Sequence, residues 1–194
     1  MTGLERLRAA LTQPDAPGGV SISFGPDANA DGVVGEVQPG QARFTEVLNP
    51  YGLAQRDGID LAAELRADPT QGESRLNDYV SRCRADLQRA LAYAADGILY
   101  RLEGAHPAAT TPMVYGGHFL EVDRELLTEI YPQTLVVVDV AGEQEPYLDF
   151  VGDLPAHAMT WEAADVDVES VRKMIRGRID LRLIRTTHPT EIHV

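Results

Sequence analysis

Downstream of residue 74 the apolar residues change their spacing several times, and this alternation narrows the possible folds more than any other feature. Leu76, Tyr79, Val80, Cys83, Leu87, Ala90, Leu91 and Ala94 step by three and four. They predict a helix over 74–95 with one apolar face, from which Arg75, Arg82, Arg84, Asp86 and Arg89 point largely away. Asp96-Gly97 turns the chain, and Ile98-Leu99-Tyr100-Arg101-Leu102 follows as an apolar run of strand length. A helix over 119–131 carries Leu120, Leu126, Leu127 and Ile130 and stops at Pro132. Residues 134–140 form a continuous β-like run, the pattern of a strand covered on both faces. A short helix (145–152), a strand (156–161), a helix (168–177) and a last strand (179–184) complete the series. Strands that alternate with helices lie parallel and are joined by right-handed crossovers, so the class is α/β.

The first 70 residues are less regular. Leu4, Leu7 and Leu11 make a short amphipathic helix behind Thr2, a possible N-cap, and 13–19 is a loop with two prolines and two glycines. Period-two alternation marks 20–24 as a strand, with further strands over 33–37 and 43–48. Asn49-Pro50-Tyr51-Gly52 is expected to turn the chain, and 60–66 to make about two helical turns. The expected organisation is one domain: an irregular part (1–70), a βα core (71–185) and an extended tail (186–194).

Charge and cysteine count exclude several roles. Thirty acidic against 17 basic side chains give a net charge of −13, which repels phosphate backbones and anionic lipids. Neither nucleic acid nor a membrane surface is expected as a partner. Cys83 is the single cysteine, so an intramolecular disulfide and a Cys-cluster zinc site are both excluded. Leu135-Val136-Val137-Val138 is too short to span a bilayer, and the start MTGLERLRAAL has charges where a signal peptide would be apolar. The expected location is cytoplasmic.

Four strings, in this order, resemble the uroporphyrinogen decarboxylase superfamily, which includes corrinoid-linked methyltransferases. They are AADGILYRLEGA (94–105), YGGHFLEVDRELL (115–127), TLVVVDVAGEQEPYLDFVGDLP (134–155) and AHAMTWEAADVDVESVRKMIRG (156–177). The opening TGLERLRAALTQPDAP is similar to that family's first helix. The resemblance implies an incomplete or reduced TIM-like (β/α) barrel with mainly parallel strands, shorter than family members are. It does not carry the family's catalytic groups across. FGPDANADG (24–32) stands where the decarboxylases have an arginine-rich loop, and Asp139-Val140-Ala141-Gly142 stands where the methyltransferases bind zinc through histidine and cysteine. An incomplete barrel leaves sheet edges to be covered, so a homodimer is expected.

Ligands of parallel α/β folds bind at the C-terminal ends of the strands. Those ends offer Glu103, Asp139, Glu162 and His106 as candidate catalytic groups, and Arg101, Tyr115, His118, Trp161 and Arg182 as candidate ligand contacts. Carboxylates and histidines sharing one mouth could hold a divalent metal or divide acid and base roles. The same residues could equally be helix N-caps and loop positions. Tyr115-Gly116-Gly117 ahead of a helix could expose N–H groups to an anion, or be a plain loop. Trp161 could stack a flat ligand or cap a core, and Cys83 reads as a small buried hydrophobe. Too few arginines reach this rim to grip a polycarboxylated tetrapyrrole. The leading expectation is a uroporphyrinogen decarboxylase-like protein of diverged activity that binds a small molecule. The alternatives are a non-catalytic accessory protein and a metal-assisted lyase or hydrolase; cofactor and metal stay unassigned.

Overall fold

The computed structural model describes residues 2–12, 21–23, 28–93, 95–142, 146–161, 184–185 and 191–193. Helix α1 (Gly3–Thr12) is followed by strands β1 (Ser21–Ser23), β2 (Gly32–Val34) and β3 (Ala42–Leu48). Helices α2 (Pro50–Arg56), α3 (Leu61–Ala67) and α4 (Pro69–Ala92) lead to β4 (Gly97–Leu102). Next come α5 (Pro112–Val114), a π turn (Tyr115–Phe119), α6 (Leu120–Ile130), β5 (Leu135–Val140), α7 (Leu148–Val151) and β6 (Ala158–Trp161). Two short strands, β7 (Ile184–Arg185) and β8 (Glu191–His193), end the described chain.

The eight strands of the described residues belong to one sheet in the order β6-β5-β4-β3-β2-β1-β8-β7. From β1 to β6 each strand pairs in parallel with the next in sequence. This sequential parallel winding makes a half-barrel, an incomplete TIM-like (β/α) barrel. β5 is buried along its whole length, as a strand covered on both faces must be.

Two apolar layers sandwich the sheet. On the convex side Val47, Ile98, Tyr100, Val136, Val138 and Met159 pack against α2, α3, α4 and α6. On the concave side Phe44, Leu99, Leu135, Val137 and Ala158 pack with Leu7 and Ala10, so α1 plugs the inside of the half-barrel. Gly97 is required there, because a Cβ at this position would run into the ring of Phe44.

Several local expectations are corrected. Within residues 1–70 the expected helix near the start, the three strands and the helix over 60–66 are present, and α2 (Pro50–Arg56) is added to them. Asn49-Pro50-Tyr51-Gly52 is no simple turn: Asn49 caps α2 by accepting the Gly52 N–H at 2.9 Å, and Pro50 takes the first helical position, where it has no N–H to waste. α4 starts at Pro69, five residues before the apolar stripe announces it, because Asp68 caps it and its first turn is polar. The last strand was expected to be parallel. Instead Ile184 and Arg185 pair antiparallel with β8, which pairs antiparallel with β1; β7 also returns against β6, without a ladder between them. Residues 191–193 of the tail are therefore part of the sheet. The helix expected over 168–177, and the strand start at 179, lie outside the described residues.

Candidate functional site

Strand register decides which side chains meet. Arg101, Asp139 and Thr160 are partners across β4, β5 and β6, so they share the concave face near the strands' C-terminal ends, while their β3 partner Leu48 packs against the convex core. The layer beneath them is apolar at Leu99, Val137 and Ala158. At its β3 end it carries the exposed Glu46, which acts on the charge of Arg101.

Arg101 is the centre of this layer. Its Nε donates to Glu103 Oε1 and its Nη1 to Asp139 Oδ2, both at 3.1 Å. Asp139 has no exposed side-chain surface, whereas Arg101 keeps about a third of its own. Burial works against the guanidinium charge, but Asp139 and Glu103 more than offset it, and the Arg101 pKa rises. Thr160 is fully buried, and its Oγ1 has no hydrogen-bond partner among the described residues. A buried hydroxyl of this kind is costly and marks a place where a further polar group is accommodated.

The rim above is fixed by close backbone approaches. The Glu103 N–H donates to Asn49 Oδ1 at 3.2 Å, and Asn49 Nδ2 donates to the Glu103 carbonyl at 3.1 Å. The Glu103 side chain lies over Gly52, where a Cβ would stand 2.8 Å from Glu103 Cγ. His106 lies in the same way over Gly142, whose φ of +127° and absent side chain both favour glycine. Burial lowers the His106 pKa while Glu103 pulls it upward, so the neutral imidazole is favoured near neutral pH. The buried His106 Nδ1 has no partner among the described residues.

The structure thus gathers Arg101, Glu103 and Asp139, with His106 within electrostatic reach of Glu103. It does not add the others. Tyr115 is fully buried and donates to Asp123, so it is a core group and no ligand contact. Trp161 is one residue past Thr160 and therefore faces the convex side, where it packs in the core beneath the helices. His118 sits in the π turn with its ring 6.4 Å from that of Phe119. Gly116 and Gly117 lie inside that turn, not ahead of the helix, so they leave no open amide nest for an anion. Glu162 and Arg182 lie outside the described residues.

Sequence reasoning missed the buried acid behind the rim. Asp123 accepts Tyr100 Oη–H at 2.7 Å, Tyr115 Oη–H at 3.2 Å and Asn49 Nδ2–H at 3.4 Å. Its position four after Phe119, and three and four before Leu126 and Leu127, put it on the apolar helix face, a signal that spacing alone could have given. Thr160 and Asn49 were also missed. Asn49 could have been found as an N-cap before proline, whereas the inward face of Thr160 depends on register. No three His, Cys, Asp or Glu side chains are grouped for a metal among the described residues. Two grooves of about 380 Å³ lie elsewhere, one between β3 and α4 and the other beside the start of α1.

Parallel strands wound in sequence, helices on the convex side and polar groups at the strand ends define the class: an α/β half-barrel similar in fold to part of a TIM-like barrel. A solved structure of a methyltransferase from Methanosarcina mazei is similar, with a TM-score of 0.65 and 15% identity. The match covers 75% of this chain and 43% of that one, so the chain spans less than half of its neighbour's length. At this identity the likeness is one of fold. No protein-family model and no curated protein matches the sequence.

Proposed function

We propose that this chain is a uroporphyrinogen decarboxylase-like half-barrel that binds a small polar molecule on its concave face, at the C-terminal ends of β4, β5 and β6. The observation that carries this reading is the layer of Arg101, Asp139 and Thr160 above the apolar layer of Leu99, Val137 and Ala158. Asp139 and Glu103 aim the guanidinium; its Nη2 edge is left to donate to a carbonyl or carboxylate oxygen. The Thr160 hydroxyl is a second group for the ligand, and neutral His106 on the lip is a proton acceptor. Two carboxylates already compensate Arg101, which favours a ligand of low charge over a polycarboxylate.

The accessory, binding-only role and the metal-assisted role that would use Glu103, Asp139, Glu162 and His106 both stay as alternatives, to be separated by the metal arm of the test below. The likeness in fold to a methyltransferase supports the barrel part of the proposal and leaves its chemistry open. The reading includes a cytoplasmic location and a homodimer that covers the open side of the half-barrel.

Thermal melts test the binding claim, since a ligand that binds the native state alone raises the melting temperature. Wild type and Arg101→Met are compared with millimolar acetate, acetamide, pyruvate and glycerol, and separately with Zn²⁺, Mn²⁺ and Mg²⁺. At least one organic solute is expected to raise the wild-type Tm and leave Arg101→Met unmoved. Equal shifts in both proteins, or no shift with any solute, would remove Arg101 from the proposal. A shift with a metal alone would favour the metal-assisted alternative.

A further inference from the structure

We propose that Asp123 and Asn49 form a proton-controlled latch that positions the rim: ionised Asp123 holds Asn49, and Asn49 holds the Glu103 backbone and the first turn of α2. The two residues have no place in the binding proposal above, and they lie behind the sheet, among the convex helices.

Asn49 is the joint of the latch. Its Oδ1 accepts from the N–H groups of both Gly52 and Glu103, at 2.9 and 3.2 Å. Its Nδ2 donates to the Glu103 carbonyl at 3.1 Å and to Asp123 Oδ2 at 3.4 Å. One fully buried amide thus ties the end of β4 to the start of α2, and it is steadied from below by a single carboxylate. An ionised carboxylate can only accept, which suits three donors arriving from Tyr100, Tyr115 and Asn49. A proton on Oδ2 turns one acceptor into a donor. It then faces the Asn49 N–H and the Tyr115 hydroxyl, and the longest of the three bonds, to Asn49, is the first to be lost.

The surroundings leave Asp123 as the member of this cluster that titrates near neutrality. Tyr100 on β4 and Tyr115 in the π turn are pushed well above 10 by burial, with Asp123 adding to it. Cys83 on α4 is pushed up to about 12, again by burial first. Arg84 is engaged by Glu129, and Arg124 on the helix of Asp123 pairs with Glu121. The π turn has a purpose in this arrangement: it sets the Tyr115 hydroxyl on the carboxylate, and such turns recur at functional positions.

Nuclear magnetic resonance tests the latch in the full chain. The Asp123 carboxyl carbon and the Gly52 and Glu103 amides are followed from about pH 5 to about pH 9. The expected result is one shared midpoint near 7 for the carboxyl and both amides, with lower amide protection, relative to the intrinsic exchange rate at each pH, on the acid side. Asp123→Asn should abolish the movement of both amides. Tyr115→Phe, which removes a donor to the ionised form, should carry all three midpoints upward together by about one pH unit. The latch is overturned by a carboxyl that does not titrate in this range, by amides that stay still while it does, or by amides that move as much in Asp123→Asn. If Asp123→Asn does not fold, the shared midpoint and its shift in Tyr115→Phe decide. None of these signals requires a ligand, so the latch and the binding proposal fail separately.

Discussion

Burial lifts the Asp123 carboxyl from its usual 3.8 to about 7, and hydrogen bonds from Tyr100, Asn49 and Tyr115 pull it part of the way back. A raised value means that the folded chain binds this proton more tightly than the unfolded chain does. The stability it contributes is complete below the unfolded value near 3.8 and is lost as pH rises through about 7. About three units at 1.36 kcal/mol each make that loss about 4 kcal/mol. Urea denaturation at a series of pH values should therefore show a downward slope between those limits that is missing from Asp123→Asn. A parallel pH dependence in the two proteins would contradict the assignment. At this scale the sequence was half legible. Arg101, Glu103 and Asp139 could be named from the strand ends, and Asp123 had a helical step that gave it away. The role of Tyr115 could not be read, and for Trp161 the sequence left ligand stacking and core capping open, of which the core position is the one seen. A tyrosine's buried partner comes from another element, and a one-residue change of register moves a tryptophan to the opposite face of a strand.

The strands show how closely neighbouring elements depend on small residues. β3 and β4 approach so closely that the Phe44 ring fills the space beside Gly97. The ring is almost fully buried and has nowhere to retreat. Gly97→Ala should cost about 2 kcal/mol through overpacking, measured as a lower urea midpoint with an unchanged slope. A change below about 0.5 kcal/mol would show that Phe44 has room to move. Elements were easiest to predict where one period ran long, as in α4 and β5. They were hardest where a cap and not a stripe set the boundary, as at Asp68-Pro69 and Asn49-Pro50. The π turn was also invisible, because Gly116 and Gly117 look like a loop until Tyr115 is seen to anchor the turn.

Across the whole molecule, the class was legible because alternation of helix and strand specifies parallel pairing, and β3, β4, β5 and β6 follow it; β1 and β2 join the same parallel series with no helix described between β1, β2 and β3. The ends of the sheet were not legible, because β7 and β8 turn antiparallel and their sequence carries no sign of direction. With the open side of the half-barrel covered by a second copy, light scattering after size exclusion should return about twice the monomer mass of 21.2 kDa. A monomer mass at every concentration would remove the homodimer from the proposal. The order of the strands also has a kinetic consequence. Each parallel pair closes a modest loop, so the sheet can grow strand by strand as the chain emerges during synthesis. The pairing of Ile22 with Ile192 is different, since it joins positions 170 residues apart. Its high contact order makes that pairing the expected slow step, and until it forms the edge of β1 stays, among the described strands, as bare as that of β6, open to the wrong neighbour.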